Sequence, residues 1–510
     1  MGLINKIAAR AGYYPKKEVL KHVKRTFNAA QLTRLTNNWT TQSTSINYDL
    51  QRSLKTLQAR SRDLFQNDPF ACNFLRMAKT NVVGPSGFTL QIKVKDDQAK
   101  GQPIKLDKLA SDAIESHFDK WSKPGVCEVT GQCSFWDIQN LFMAGLLREG
   151  EVLMRKVYGK NANSYGFGIQ VLDIDRLDVD YNTNLENGNE IRMGVELTSF
   201  GKPVAYHILA KHPGDNAYYS YRGKGYLRIP ANEIIHKFVM DRPEQVRGIP
   251  ALHAAMFRMQ NLGAYEEAAI IASRIGAAKM GFYTTPDGDG SMLADSTESN
   301  GELRTEAEPG QFDVLPDGVS FTAFDPDYPH AMFGTFVKSC LRAIASGIGV
   351  SYNALANDLE GVNFSSMRSG ALSERDNWMV WQDWVITHFL EPIFSEWLKM
   401  ALLHGAITLP NGSALPLTKF EKFNVGKWQG RRWQWVDPRA DTDANIQQIS
   451  RGLKSRADAI AEQGGDIEDV FFQLAEEKKR AEELGISEIL SDQNMLNMLN
   501  NQSVNQDTSI

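Results

Sequence analysis

An α+β fold, with helices and strands segregated along the chain, is predicted by three features of the 510-residue sequence. Apolar residues recur at helical spacing over 49–80, 331–348 and 366–404. Segments of alternating character gather between residues 88 and 209 without a helix between each pair, which argues against a doubly wound α/β domain. Two helical stretches, 251–278 and 331–348, bracket a non-helical insert.

In chain order, the first 48 residues are a polar arm, expected to order only against neighbours. From Asp49 to Thr80, Leu50, Leu54, Leu57, Leu64, Phe65, Phe74 and Leu75 give a helical pattern. Asp68-Pro69 restarts it, since proline suits the first helical position, and Asn81-Val82-Val83-Gly84-Pro85 breaks it. Phe88 to Val94 alternates as a half-buried strand. Helices are expected over Leu106–Trp121 and Ser134–Glu149, the second capped by the Ser134 hydroxyl. Strands follow at Glu151–Val157, Ile169–Ile174, Ile191–Leu197 and Val204–Leu209, the last two joined as a hairpin through 198–203. Residues 80–245 therefore read as a mixed sheet with peripheral helices.

Ala251 to Ala278 is rich in Ala, Met, Ile and Leu and, as a helix, spans about 42 Å. Gly263 and Gly276 lie inside it, each costing roughly 1 kcal/mol; close approach of another helix, or simple tolerance, accounts for them. Met280 to Tyr328 is a compact insert with turns at Pro286-Asp287-Gly288 and Pro316-Asp317-Gly318. Its centre, Gly288–Pro309, is acidic, poor in apolar residues and expected to be mobile. In the helix 331–348, Phe333, Phe336, Val337, Cys340, Leu341, Ile344, Ala345 and Ile348 form one stripe, and Gly347 and Gly349 end it. A polar loop, Asn357 to Asn363, leads to a long helix opening near Ser365 and Ser366. That helix runs to His404-Gly405 and should bend at Pro392, which removes a backbone bond. Charged helices are expected over 441–490, and a disordered Asn/Gln/Ser-rich tail after Asp492.

Charge is unevenly distributed. Residues 1–79 hold 14 Lys and Arg against Glu18, Asp49, Asp63 and Asp68, a net +10, so the rest of the chain carries −15 of the total −5. The excess is either a solvated helix face or a docking surface for an acidic partner or nucleic acid. Most of the ten tryptophans fall between Trp378 and Trp435, marking a densely packed region. The four cysteines have no metal-ligand spacing and are too few for a disulfide framework, so they read as reduced core thiols. No apolar run reaches the ~18 residues of a membrane helix, and the start lacks a signal-peptide core. A soluble protein made and used in a cytoplasm is expected.

Catalytic signatures are missing from the sequence: there is no GxxxxGK[ST] loop, no HExxH and no GxSxG elbow. The most enzyme-like segment is Asp173 to Asp180, with four acids in eight residues. Such carboxylates can hold Mg²⁺ for a nuclease. Against that, Asp173 and Asp175 are expected on one face of a strand, with Arg176 neutralising them, so a structural turn is the favoured reading. No cofactor and no metal are expected.

Several segments occur in the order found in one known family. Helix, glycine stop, acidic Asn-rich loop and long helix over 331–370 resemble the stem, tunnel loop and kinked helix of lambda-type phage portal proteins. Arg60-Ser61-Arg62-Asp63-Leu64, Asn67-Asp68-Pro69 and Asn81-Val82-Val83-Gly84 resemble its N-terminal helix. Gly150-Glu151 and the run Ile229 to His236 resemble its sheet, and Arg247-Gly248-Ile249-Pro250 the start of its first stem helix. Trp433 to Pro438 and Gly452 to Ser455 are similar to its late segment. The likeness covers residues 50–490, and its specificity lies in the collinearity.

The resemblance implies a portal-protein fold: an arm (1–48), a mixed-sheet wing (49–249), stem helices (250–279 and 330–350), a small α/β clip (280–329), a tunnel loop (351–365), a long kinked helix with wing return (366–440) and a helical crown (441–510). It implies a closed homo-oligomeric ring of about twelve copies at one capsid vertex, with no enzymatic activity. Double-stranded DNA would pass without sequence specificity, driven by terminase. Major capsid or scaffold proteins and head-completion or neck proteins would be further partners, with no membrane involved. A sliding polyanion must not be held tightly, and an acidic body with sparse cations suits that. Candidate channel-lining residues are Lys338 and Arg342, one turn apart, which form a thin positive band or else pair with acids of an adjacent subunit. Asp358, Glu360 and Asn363 are candidates for the narrowest gap. Alternatives are another neck or adaptor ring, or a Mg-dependent nuclease at Asp173–Asp180.

Overall fold

The computed structural model describes residues 34, 38–96, 106–159, 162–215, 225–277, 281–284, 320–323, 332–433 and 438–484. Most of the N-terminal arm, the acidic centre of the insert and the tail after Asp492 lie outside these residues.

Local signals place the first helices. Helix α1 (Ile46–Asn67) begins where the Ser45 hydroxyl accepts the Tyr48 amide. Asp68 accepts the Ala71 amide and Pro69 opens α2 (Pro69–Ala78), which widens into a π-helical turn, Lys79–Val83, before Gly84. Asp107 caps α3 (Lys108–Trp121), and Ser134 with Asp137 forms a full capping box on α4 (Phe135–Arg148).

The strands form separate antiparallel sheets. Strands β2 (Glu151–Tyr158), β3 (Phe167–Leu172) and β9 (Ile234–Phe238) pair in the order β3-β2-β9. Strands β4 (Thr183–Asn184), β5 (Glu190–Arg192), β6 (Val195–Leu197), β7 (Pro203–Leu209) and β8 (Tyr226–Pro230) make a five-stranded meander. Every ladder between these strands is antiparallel, so the expected mixed sheet is corrected. The β5-β6 and β6-β7 connections are too short for the crossover that a parallel ladder requires. The expected strand 191–197 is split by Met193 and Gly194, at φ 48° and 83°. That left-handed pair makes a tight hairpin turn matching the twist of the flanking strands. Strand β1 (Thr89–Ile92) joins neither sheet; it pairs with β12 (Gly426–Gln429), more than 300 residues away.

Helix α5 (Met256–Ala277) starts five residues later than the sequence suggests, because 251–255 are taken up in turns. Strands β10 (Gly281–Thr284) and β11 (Ser320–Ala323) pair antiparallel at the base of the insert. Helix α6 (Phe333–Ile348) returns beside α5: the Tyr265 ring stacks on Phe333 at 5.5 Å and meets Phe336 edge-on at 5.2 Å. Gly349 ends α6 at φ 76°, whereas Gly347 stays inside the last turn. A short helix, α7 (Tyr352–Ala356), occupies part of the expected loop.

The expected long helix is three pieces: α8 (Phe364–Val385), a π-helical turn (Ile386–Leu390) and α9 (Glu391–Leu403). Pro392 lacks the amide that the carbonyl one turn back would accept, and its ring crowds that carbonyl. The widened turn immediately before it relieves both problems. The C-terminal helices are α10 (Phe420–Phe423), α11 (Pro438–Ser450), α12 (Arg456–Glu462) and α13 (Ile467–Glu483).

The tryptophan-rich region is the packing partner of α3 and α4. Phe118 meets Trp397 edge-on at 4.9 Å, Trp121 lies 6.1 Å from the same Trp397 ring, and Phe142 stacks on Phe389 at 4.1 Å. A second core lies between α1 and the sheets, with Leu50, Leu54, Leu153, Leu172, Val195, Ile208 and Ile229. Among the described residues no helix is long and apolar enough to cross a membrane.

Candidate functional site

Four of the five residues singled out from the sequence converge where α6 meets the loop that follows it. Lys338 Nζ lies 3.0 Å from Glu360 Oε2 and 3.3 Å from Asp358 Oδ2. The Tyr352 hydroxyl donates to Asp358 Oδ2 at 2.7 Å, and the Arg342 guanidinium sits 5.3 Å above the Tyr352 ring. The Asn363 carbonyl accepts the Met367 amide at the start of α8. The acids that face Lys338 belong to its own chain. Hydrogen bonds from Tyr352, the Glu360 amide and Lys338 hold the Asp358 carboxyl down at about 2. The same carboxylates, through hydrogen bonds, raise Lys338 above its ordinary value. Asp358 and Lys338 therefore stay charged at neutral pH.

A buried ion pair fixes the lead-in to α5. Glu151, fully buried on β2, is bridged by Arg247 through Nε at 2.9 Å and Nη2 at 2.7 Å. It also accepts from His236 Nε2 at 2.9 Å, from Gln58 Nε2 at 3.0 Å and from the Gly248 amide at 3.0 Å. Arg247 Nη1 donates to the carbonyls of Leu177 and Met193. Burial alone would raise Glu151, but Arg247 and His236 outweigh it and hold the carboxyl at about 2. His236 is pushed below its ordinary value, burial first, because Arg247 already neutralises Glu151 and a second cation is disfavoured. Glycine is required on both sides. A Cβ on Gly150 would fall 2.2 Å from the Ile249 carbonyl carbon, and one on Gly248 2.1 Å from the Gly150 oxygen. The two motifs stand 96 positions apart in sequence, and nothing local signals their contact.

The acidic segment forms a turn, as the favoured reading has it, but neither on a strand nor neutralised by Arg176. Asp173 caps a single 3₁₀ turn, Ile174–Arg176, rather than lying on a strand. Arg62 from α1 grips both oxygens of Asp175, at 2.6 and 2.8 Å, and reaches Glu149 at 3.2 Å. Arg176 instead donates to the carbonyls of Leu209 and Ala210. Lys55 pairs with Asp178 and Asp180, and the Tyr226 hydroxyl donates to Asp178. Asp173, Asp175 and His212 do have ligand atoms within 4.8 Å of one another. The bidentate guanidinium, however, occupies the carboxylate edge a cation needs. The cluster fits a structural tie between α1 and the strands better than a metal centre.

With this geometry in place, comparison with known proteins defines the class. The family model described as "Phage portal protein, lambda family" matches residues 32–382. A "Probable portal protein" of Halomonas phage phiHAP-1 is 37% identical over 496 residues, covering 94% of this chain and 92% of that one. The "Portal protein" of Escherichia phage N15 is 20% identical over 487 residues, and "Portal protein B" of Escherichia phage lambda 19% over 485, each covering 88% of both chains. A chain from the neck of an empty gene transfer agent particle superposes with a TM-score of 0.42 at 12% identity, covering 81% of this chain and 94% of that one. The three phage relatives are each named as portal proteins. The chain belongs to the lambda family of phage portal proteins.

Proposed function

We propose that twelve or so copies close into a ring whose central channel passes double-stranded DNA during packaging and ejection. The observation that carries this reading, beyond family membership, is the pair α5 and α6 lying side by side while leaving apolar side chains uncovered. Phe257 on α5 is 84% exposed and Phe336 on α6 50%, and Ile270 and Ile271 also face outward. Such faces suit burial against the next copy. A Cβ at Gly263 would meet no described atom of its own chain.

In this reading 49–249 is the wing, 250–279 and 330–350 the stem, 280–329 the clip, 351–365 the tunnel loop, 366–440 the kinked helix with wing return, and 441–510 the crown, with 1–48 an arm. The clip would meet the terminase and later a head-completion or neck protein, and the capsid or scaffold would meet the ring's rim. Lys338, Arg342, Asp358, Glu360 and Asn363 would line or border the channel. Light scattering on the purified full chain tests the assembly: a mass about twelve times that of one chain supports it, and a monomer at every concentration and salt contradicts it.

A further inference from the structure

The segment after α6 is held in two different ways. Its first part, α7, is anchored inside the fold. Leu355 is buried, the Asn73 amide donates to the carbonyls of Ala354 and Leu355 at 3.0 and 2.9 Å, and Ser351 Oγ donates to Glu374 on α8 at 2.6 Å. Its second part, 357–363, turns on two left-handed residues, Asn357 at φ 52° and Gly361 at φ 72°. This part lies at the surface, with Leu359 exposed and the Glu360 side chain 82% exposed. Asp358 shapes it locally by accepting the Glu360 amide at 3.0 Å. Lys338 reaches it from α6, with both Asp358 and Glu360 on its single ammonium. A surface pair of this kind is exchangeable, because salt screens it and a competing anion can take the cation.

We propose that Lys338 is an exchangeable latch: it holds the turn 357–363 against α6, and a phosphodiester chain passing α6 takes the lysine and releases the turn. The inference deepens the channel reading and rests on it for the source of the phosphates. Once Lys338 leaves, Asp358 (still hydrogen-bonded by the Tyr352 hydroxyl) and Glu360 present two negative charges without a cation towards the same DNA, so the free end of the turn is driven off the strand rather than onto it. The lysine meanwhile makes one weak phosphate contact and recovers its carboxylates when the phosphate moves on. Grip and repulsion are thereby coupled in one subunit, as suits a polyanion that must slide. Arg342 does not share the exchange, since its guanidinium stays over Tyr352 in the anchored part.

Hydrogen exchange of the peptide containing 357–363 tests the latch, measured on the full chain as wild type, Lys338→Met and Lys338→Arg. Exchange should accelerate about two- to fivefold when salt rises, the range of an exposed ion pair. Lys338→Met should show that acceleration at low salt, while Lys338→Arg should match wild type. Adding random-sequence duplex DNA to the assembled wild type should speed exchange, with no further change in Lys338→Met. The latch is overturned if Lys338→Met leaves the exchange unchanged or if Lys338→Arg behaves like it. It is equally overturned if duplex has no effect on assembled wild type, or if its effect survives in Lys338→Met. Particle mass on the same samples separates the two readings. A chain that never assembles removes the channel, while salt and Lys338→Met still report on the tether itself. Lys338 is half exposed, so an unchanged melting temperature verifies the fold of both variants.

Discussion

Replacing Glu151 by glutamine keeps its shape and removes its charge, leaving Arg247 buried without a counter-ion. Breaking such a pair on one side costs about 3–5 kcal/mol, which urea unfolding of Glu151→Gln should register. The same cluster sets an acid limit. The folded-state carboxyl of Glu151 is held at about 2 against an ordinary 4.5, so its contribution of about 3 kcal/mol is present above pH 4.5 and lost towards pH 2. His236 acts in the same direction: below its ordinary 6.5 the unfolded chain takes up a proton that the folded chain resists. Stability should therefore fall in two stages on acidification, and His236→Gln should remove the upper one. Gly248→Ala places a methyl against the Gly150 carbonyl and should cost about 3 kcal/mol or more, read as a drop in melting temperature or loss of soluble protein. The Ser134 cap was legible because donor and acceptor lie within three residues. The Glu151–Arg247 pair was not, because its partners meet only after two sheets and α1 have packed.

Among elements, the helices were the most legible. Strong apolar stripes defined α1, α6 and the α8–α9 region, and Pro392 announced the irregularity that the structure resolves as a π-helical turn. The strands were legible one by one but not their partners. β1 reads like its neighbours yet pairs with β12, and a mixed sheet was expected where the meander is wholly antiparallel. Alternation reports which face is buried and carries no information on which strand lies alongside. Gln382 joins three of these distant pieces. Buried on α8, it donates to the carbonyls of Asn81 and Arg431 at 2.9 and 3.0 Å, tying the first π-helical turn to the segment after β12. Gln382→Leu retains the volume and leaves both carbonyls short of a donor. A loss of about 1–3 kcal/mol is expected by urea unfolding, with earlier proteolysis on either side of β12.

For the whole molecule, collinear motifs were more informative than any single one. Residues at 60–84, 150, 229–250 and 433–455 are individually ordinary, yet their order matched one family, and the family model covers 32–382. The candidate cations and acids were legible only as two separate sets, and the structure brings Lys338 of the first together with Asp358 and Glu360 of the second within one chain. The direct measurement is electron microscopy of the purified full chain viewed down the particle axis. The account predicts an annulus of about twelve copies with α5 and α6 as its inner staves and the 357–363 turn at the narrowest gap. A ring with Asp358 and Glu360 pointing outward, or a compact particle with no central opening, would contradict it.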